Sequence, residues 1–414
     1  MKKGRIIGII MIVLLTVSFF TMIPFISKIT DRENLRKHMS GYTEIIILRD
    51  KDFTTLYNFS GSGIETDPFK IENLQIISNK EIGIHISGTT CYFQIINCTI
   101  FTDSICISLG GPAPNTAIIR NCNLSVNGTD SLYPGTGIFV RNSLGVEIIN
   151  NTCIGPLNEI NWPTTPINAD CMGIDLRNSP NSKIFDNKCT NWLDGIGMEY
   201  SDYTQVSNNN LSKNRLSGVY AEYSEDLILS SNICHNNTYG INVMQTYDSI
   251  ISYNSLFFNV DGIFFDSSFR SIIFSNYCNF NSHSGLRFYG TIFHISVTEN
   301  TCSNNSYGMT CFDMLDSNIS KNTFQYNSHY GLELIDSSLF IYQNNFIGNC
   351  YTSSLIGHQQ AIEYGLYYQN NFWFDTINKM GNYWSDLIWD ETAIYYIDGS
   401  NNTDLFPLQN PVVI

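Results

Sequence analysis

The chain reads as an all-β solenoid, a right-handed parallel β-helix, on three observations. A self-similar unit returns roughly every 22 to 23 residues, the period of a stacked-coil architecture. Asn recurs in register with that unit in two columns, one running through Asn151, Asn187, Asn209, Asn232, Asn254, Asn276, Asn300, Asn322 and Asn344. The second runs through Asn214, Asn237, Asn259, Asn281, Asn305, Asn327 and Asn349. A Gly at a fixed place, such as Gly195, Gly218, Gly240 or Gly262, opens an alternating apolar and polar stretch, as in GINVM and GIFFD. Alternation of period two puts the apolar residues on one face of a strand, and helical periodicity is absent. A unit too short for a helix, with corners between brief strands, closes by stacking each coil in parallel on the last. Asn suits such corners because it tolerates left-handed backbone and because stacked amides can bond to one another.

At the amino end Lys2, Lys3 and Arg5 precede an apolar run over residues 6–26. About 20 apolar residues cover a bilayer core, so the first 27 residues are expected to form a signal anchor. The basic flank favours a cytoplasmic amino terminus, with everything after Lys28 outside. The rival expectation is a signal peptide, cleaved so that the protein is secreted, although no A-x-A-like site follows the run. Residues 28–43 are polar and read as a stalk, and EIIILRD starts the solenoid, which is expected over 44–350. Two insertions, NGTDSLYPGT from Asn127 and GPLNEINWPTTPINAD from Gly155, lie just before alternating strands of adjacent coils and read as loops. From Tyr351 the repeat breaks, and Trp373, Trp384 and Trp389 with Phe372 and Phe374 suggest an aromatic cap over 351–414, as a repeat protein's last coil requires.

Composition removes one function class. Of 414 residues only 14% are charged and the net charge is −15, so nucleic acid is not expected as a partner, because phosphate binding needs clustered Lys and Arg. The 12 Cys would permit disulfides outside the cytoplasm, yet Cys153, Cys189, Cys234, Cys278 and Cys302 stand where other units carry Leu211, Leu256 or Phe324. Their register makes them small core hydrophobes, with Cys153 stacked on Cys189 and Cys278 on Cys302. Asn-x-Ser/Thr triplets, for example at Asn58, Asn236 and Asn304, are acceptor sequences for glycosylation in an extracytoplasmic chain.

Three strings carry a family resemblance: the entry GSGIETDPFKIENLQI, the repeated N-x-[hydrophobic]-x-x-N-x-x-x-G pattern, and the exit GNYWSD. Over residues 44–414 the chain resembles the NosD-like right-handed β-helix proteins, with their carbohydrate-binding and sugar-hydrolysis repeats. The resemblance implies a fold shared with pectate lyases and polygalacturonases, and a name linked to copper-site maturation of nitrous oxide reductase. It carries no catalytic motif over to this sequence. The tail WDETAIYYIDGSNNTDLFPLQ departs from the Asp/Gly-rich carboxyl end often found in the family.

Function is therefore read from the exposed face. In the strand after each Gly, the second and fourth residues should point outward. The fourth-residue column is Arg141, Arg177, Glu199, Glu222, Met244, Asp266, Tyr289, Phe312 and Ile335. The second-residue column is Phe139, Asp175, Gly197, Tyr220, Asn242, Phe264, Arg287, Thr310 and Glu333, with His85 further toward the amino end. Strand spacing of about 4.8 Å would stack Glu199 on Glu222, near the carboxyl separation of a retaining glycosidase. Glu199, Glu222 and Asp175 are thus the candidate catalytic acids. Gly197 should leave a notch beside them, overhung by the loop bearing Trp162. Arg177, Tyr220, Trp162, Asn242, Phe264, Asp266, Arg287 and Tyr289 are the candidate substrate-binding residues.

The expected partner is a polysaccharide or surface glycan, bound with or without hydrolase or lyase turnover. The alternative, in keeping with the family resemblance, is a non-enzymatic surface or accessory protein, docking a protein partner or serving copper-site maturation. A solvated charge ladder, stabilising by a few tenths of a kcal/mol per pair, would also account for the acidic and basic columns. No cofactor and no metal site is expected, since His283 and His329 fall two coils, about 9.6 Å, apart.

Overall fold

The computed structural model describes residues 42–128, 135–156, 171–350, 360–365, 370–390 and 392–413. From Thr43 onward they form one compact unit. Each coil contributes one long and two short strands, for example Asp194–Glu199, Gln205–Ser207 and Asn210–Ser212. Corresponding strands of successive coils pair into three sheets, each of thirteen strands among the described residues. Pairing is parallel from Ile45–Ile47 against Ile82–Ser87 through to Leu332–Ile335 against Ala361–Tyr364. Among the named strands that are described, Tyr395–Tyr396 and Thr403–Asp404 alone pair antiparallel, outside the three sheets. The parallel β-solenoid expected from the repeat is therefore the fold.

The register matches the columns read from the sequence. Phe139, Asp175, Gly197, Tyr220, Asn242, Phe264 and Arg287 are successive partners along the first sheet. Arg177, Glu199, Glu222, Met244, Asp266 and Tyr289 form a parallel row two residues on. The apolar residues between them, Met198, Ala221, Val243, Phe265 and Phe288, are buried. The opening glycines are required by close approach. A Cβ on Gly218 would lie 2.6 Å from the Gly240 carbonyl oxygen and 2.9 Å from Cys234.

The first Asn column is a continuous ladder between the second and third sheets. Asn209 is typical: its amide Nδ2 donates to the Ile184, Ser207 and Asn232 oxygens at 3.0 Å each, and its backbone N–H donates to Asn232 Oδ1. Rungs to Asn344 repeat the bonds to the next Asn Oδ1 and to a carbonyl of the preceding coil, and the ladder continues into Asn382, which donates to Asp404. The second column runs from Asn214 to Asn349 and ends on Gln360. One expectation is corrected here. The left-handed residues are those immediately before the ladder Asn, such as Asn208, Ser231, Tyr253, Ser275, Glu299 and Lys321. The ladder Asn is selected by its amide hydrogen bonds, while its predecessor bears the positive φ whatever its type.

Cys153 and Cys189 are register partners, as are Cys278 and Cys302, and all are buried free thiols, as core placement requires. At the carboxyl end Trp384 stacks 4.3 Å from Phe346 and 3.8 Å from Tyr395, with Trp373 buried beside them. Among the described residues no helix is long and apolar enough to cross a membrane; the apolar run at 6–26, on which the anchor rests, lies outside them. Most of both predicted loops, Trp162 included, also lies outside the described residues.

Candidate functional site on the first sheet

The outer surface of the first sheet is built by three rows of side chains. Two are the predicted rows. The third is the residue before each Gly: Asp194, Ser217, Tyr239, Asp261, Ser284 and Tyr307. Sequence alternation did not find this row, because it precedes the Gly at which the chain leaves the corner and the period-two pattern starts.

Around Glu199 the structure assembles an acidic and aromatic group. Glu199 and Glu222 are direct register partners, as predicted. The Tyr220 hydroxyl donates to Glu222 Oε2 at 2.5 Å, and burial together with that carboxylate pushes the phenol pKa up, so Tyr220 is a donor at any physiological pH. At the corner directly after each Glu stand Tyr200 and Tyr223, their rings stacked 5.1 Å apart and 53% and 38% exposed. The sequence carried the signal in its repeated EYS, at Glu199 and Glu222, but the tyrosines fall one place outside the predicted strand.

Two expectations about this group change. The notch at Gly197 is closed, because a Cβ there would overlap the Met172 sulfur, whose side chain lies over the glycine. Asp175 is only 3% exposed, and Arg177 holds it through Nε and Nη2 at 3.0 to 3.3 Å while lying 5.6 Å from the Phe139 ring. Asp194, in the unpredicted row, is also buried. Its carboxyl is raised to about 6 by burial, with Asp175 adding to the rise against one Ser217 N–H bond. Asn242, next along from Tyr220, is 8% exposed, and its Oδ1 has no hydrogen-bond partner.

Farther along lies a second group centred on Asp261. His283 Nδ1 is 2.8 Å from its Oδ1, Arg287 Nη1 donates to Oδ2 at 3.3 Å, and the Ser284 N–H donates to Oδ1. Arg287 lies 5.6 Å from the Phe264 ring, which itself stacks on Tyr239. His283 and His329 do not approach each other, for the Tyr307 ring sits between them, at 5.4 and 5.0 Å. Asp266 accepts from Ser267 at 2.8 Å, and Tyr289 packs 5.7 Å from Phe312. The predicted residues thus share one face but fall into two groups rather than one groove. A cleft of about 350 Å³ lies elsewhere, over the second sheet, beside Gln94, Glu147 and Lys183. Its size suits a small molecule, whereas the first sheet offers the extended surface that a polymer needs.

Comparisons with known proteins bear on the fold and on part of the chain. A family profile described as NosD, periplasmic copper-binding protein, matches residues 194–388. No curated protein matches. Among solved structures, the A-module of the Azotobacter vinelandii mannuronan C-5 epimerase AlgE6 superposes with a TM-score of 0.55 at 14% identity, over 71% of this chain and 85% of that one. The Dettilon tailspike protein gives 0.52 at 12% identity over 67% of this chain, which spans 60% of the tailspike. A mutant of the periplasmic alginate epimerase AlgG gives 0.50 at 13% identity, over 70% of this chain and 78% of that one. Likeness at such identities is likeness of fold. The chain is a parallel β-solenoid, and its residues 194–388 are similar to the NosD family.

Proposed function

We propose that this protein binds polysaccharide along the outer face of its first sheet, outside the cytoplasm. The observation that carries the reading is the group at Glu199 and Glu222. Stacked carboxylates, one of them accepting from the Tyr220 hydroxyl, lie beside the exposed Tyr200–Tyr223 pair on a face that continues over many coils. Sugars need this mixture, since their apolar faces stack on aromatic rings and their hydroxyls pair with carboxylates and amides. Support also comes from two neighbours in fold, which are epimerases named for mannuronan and alginate. The periplasmic description of the matched family and the basic, apolar amino end favour an extracytoplasmic, membrane-anchored chain. Turnover by hydrolysis or elimination would fall to Glu199 and Glu222, whose backbones lie one strand spacing, about 4.8 Å, apart.

A glycan array on the full chain, repeated with Glu199→Gln, Trp162→Ala and Tyr223→Ala, tests the reading. Binding that persists unchanged in all three variants would place the ligand elsewhere. Copper handling, named in the family description, is not supported by the donor set. Among the described residues no three His, Cys, Asp or Glu side chains gather. Burial pushes the Cys234 and Cys311 thiols well above their usual range, opposing the thiolate that a soft metal needs.

A second reading, docking of a protein partner, rests on a different surface. The second and third sheets expose Ile228, Ile272, Tyr253, Phe258, Tyr277 and Phe280, each 37–57% accessible, on neighbouring coils. Apolar area of that kind marks interaction surfaces. Phe258→Ser and Tyr253→Ser should leave glycan binding intact and remove any stoichiometric complex formed by the purified chain.

A further inference from the structure

We infer that the Asp261–His283–Arg287 group is the subsite for an anionic substituent, a carboxylate or sulfate, on the bound glycan. The inference rests on the first-sheet reading and adds a charge requirement to it. Three features single the group out. Its carboxylate lies beneath the surface, with the Asp261 side chain 1% exposed, while the two groups it holds stand at the surface, His283 at 38% and Arg287 at 30%. A ligand on this face therefore meets guanidinium and imidazole first, and the neutralising carboxylate is behind them.

The second feature is unused bonding capacity. Asp261 takes Arg287 through Nη1, while the guanidinium Nε is buried with no partner. A guanidinium offers five donors in a planar fork that matches a carboxylate or sulfate edge, and Asp261 engages the fork through Nη1 alone. His283 uses Nδ1 toward Asp261 and Ser284, which directs Nε2 to the other side of the ring.

The third feature is rigidity. Ser284 Oγ lies 3.2 Å from Thr310 Oγ1, and both residues are fully buried. Phe264 supports the guanidinium from one side, and Tyr307 packs against the imidazole. Surface ion pairs on flexible side chains contribute little, but here the acid is fixed in the sheet and the basic groups are packed on aromatic rings. Elsewhere on the face Arg177 directs Nε and Nη2 together onto Asp175, and Glu199 and Glu222 make that end acidic. An anionic sugar is thus directed to the Arg287 end, and a neutral stretch of the same polymer to the tyrosine end.

The test compares three probes on the full chain by titration calorimetry: a uronic-acid oligosaccharide, its carboxyl-reduced neutral counterpart, and a sulfated neutral oligosaccharide. Wild type should bind at least one anionic probe about tenfold more tightly than the neutral one, with the preference shrinking as salt rises. Whichever anionic probe is preferred identifies the substituent. Arg287→Gln should bring the preference to within about twofold, the anionic probe losing more affinity than the neutral one. His283→Gln should give a smaller loss in the same direction. Equal wild-type affinity for all three probes, or a preference that survives Arg287→Gln, overturns the inference and leaves the face reading standing. Failure of wild type to bind any probe overturns both. If Arg287→Gln does not fold, a wild-type preference that is independent of salt overturns the charge assignment by itself.

Discussion

The Asn corner between the second and third sheets and the outer face of the first sheet are made by the same coils, yet they obey opposite rules. At the corner every amide is saturated: Asn254 donates to Leu229 and Asn276, and its Oδ1 accepts both N–H groups of Asn232. One residue type repeats there because only it fills both roles. On the face, each coil places something different, and Asn242 Oδ1 and Arg287 Nε are buried without partners. Saturated positions hold the solenoid together, while the varied side chains of the face are free to differ from coil to coil.

The largest effect that can test this contrast is at the corner. Asn254→Ala removes two donated and two accepted bonds to groups on the coils before and after it, so unfolding free energy should fall by roughly 2–4 kcal/mol. Thermal or denaturant unfolding measures it, and a loss below about 1 kcal/mol would show that the ladder is not what holds the corner.

Titration offers the next effect, with one group in each region. Asp194 on the face and Asp404 at the ladder's end both have their carboxyls raised to about 6, chiefly by burial. A raised folded-state pKa contributes stability that is fully present below the unfolded value, near 4, and lost as pH rises through about 6. Stability should therefore fall between pH 4 and 7 by an order of 2–3 kcal/mol per group, and Asp194→Asn should flatten part of that slope. An unchanged slope in the variant would remove Asp194 from the account.

Smaller changes belong to the face. Tyr223→Ala should weaken glycan binding about tenfold with stability altered by less than about 1 kcal/mol, since the ring is exposed. Asn242→Ala should be nearly neutral for the free protein, because its Oδ1 makes no bond. A marked destabilisation by Asn242→Ala would show that this amide is structural and would erase the contrast at that position.

How far the site was legible follows from the same distinction. Both outward rows after each Gly were readable, from Phe139 to Glu333 and from Arg141 to Asp266, because period-two alternation fixes which side a residue takes. Asp194, Asp261 and Ser284 were not, since they precede the Gly and the chain direction there is set by the corner. Tyr200 and Tyr223 were missed for the mirror reason, lying just past the strand end. The notch at Gly197 was misread because the side chain that fills it, Met172, comes from the preceding coil and from the unrecognised row. The Ser column in which Ser143, Ser179, Ser201 and Ser224 bond successive coils also escaped notice, as Ser occurs too often for a column of it to stand out.

The sequence by itself determined the solenoid, its period, the Asn ladders, the core cysteines and the register that stacks Glu199 on Glu222. All of these follow from a repeat in which each position has one neighbour above and one below. Tertiary structure alone decided the burial of Asp175 and Asp194, the closing of the Gly197 gap and the gathering of Asp261, His283 and Arg287. Those depend on where flexible side chains from different rows come to rest, and on how much water they exclude, which no periodicity in the chain encodes.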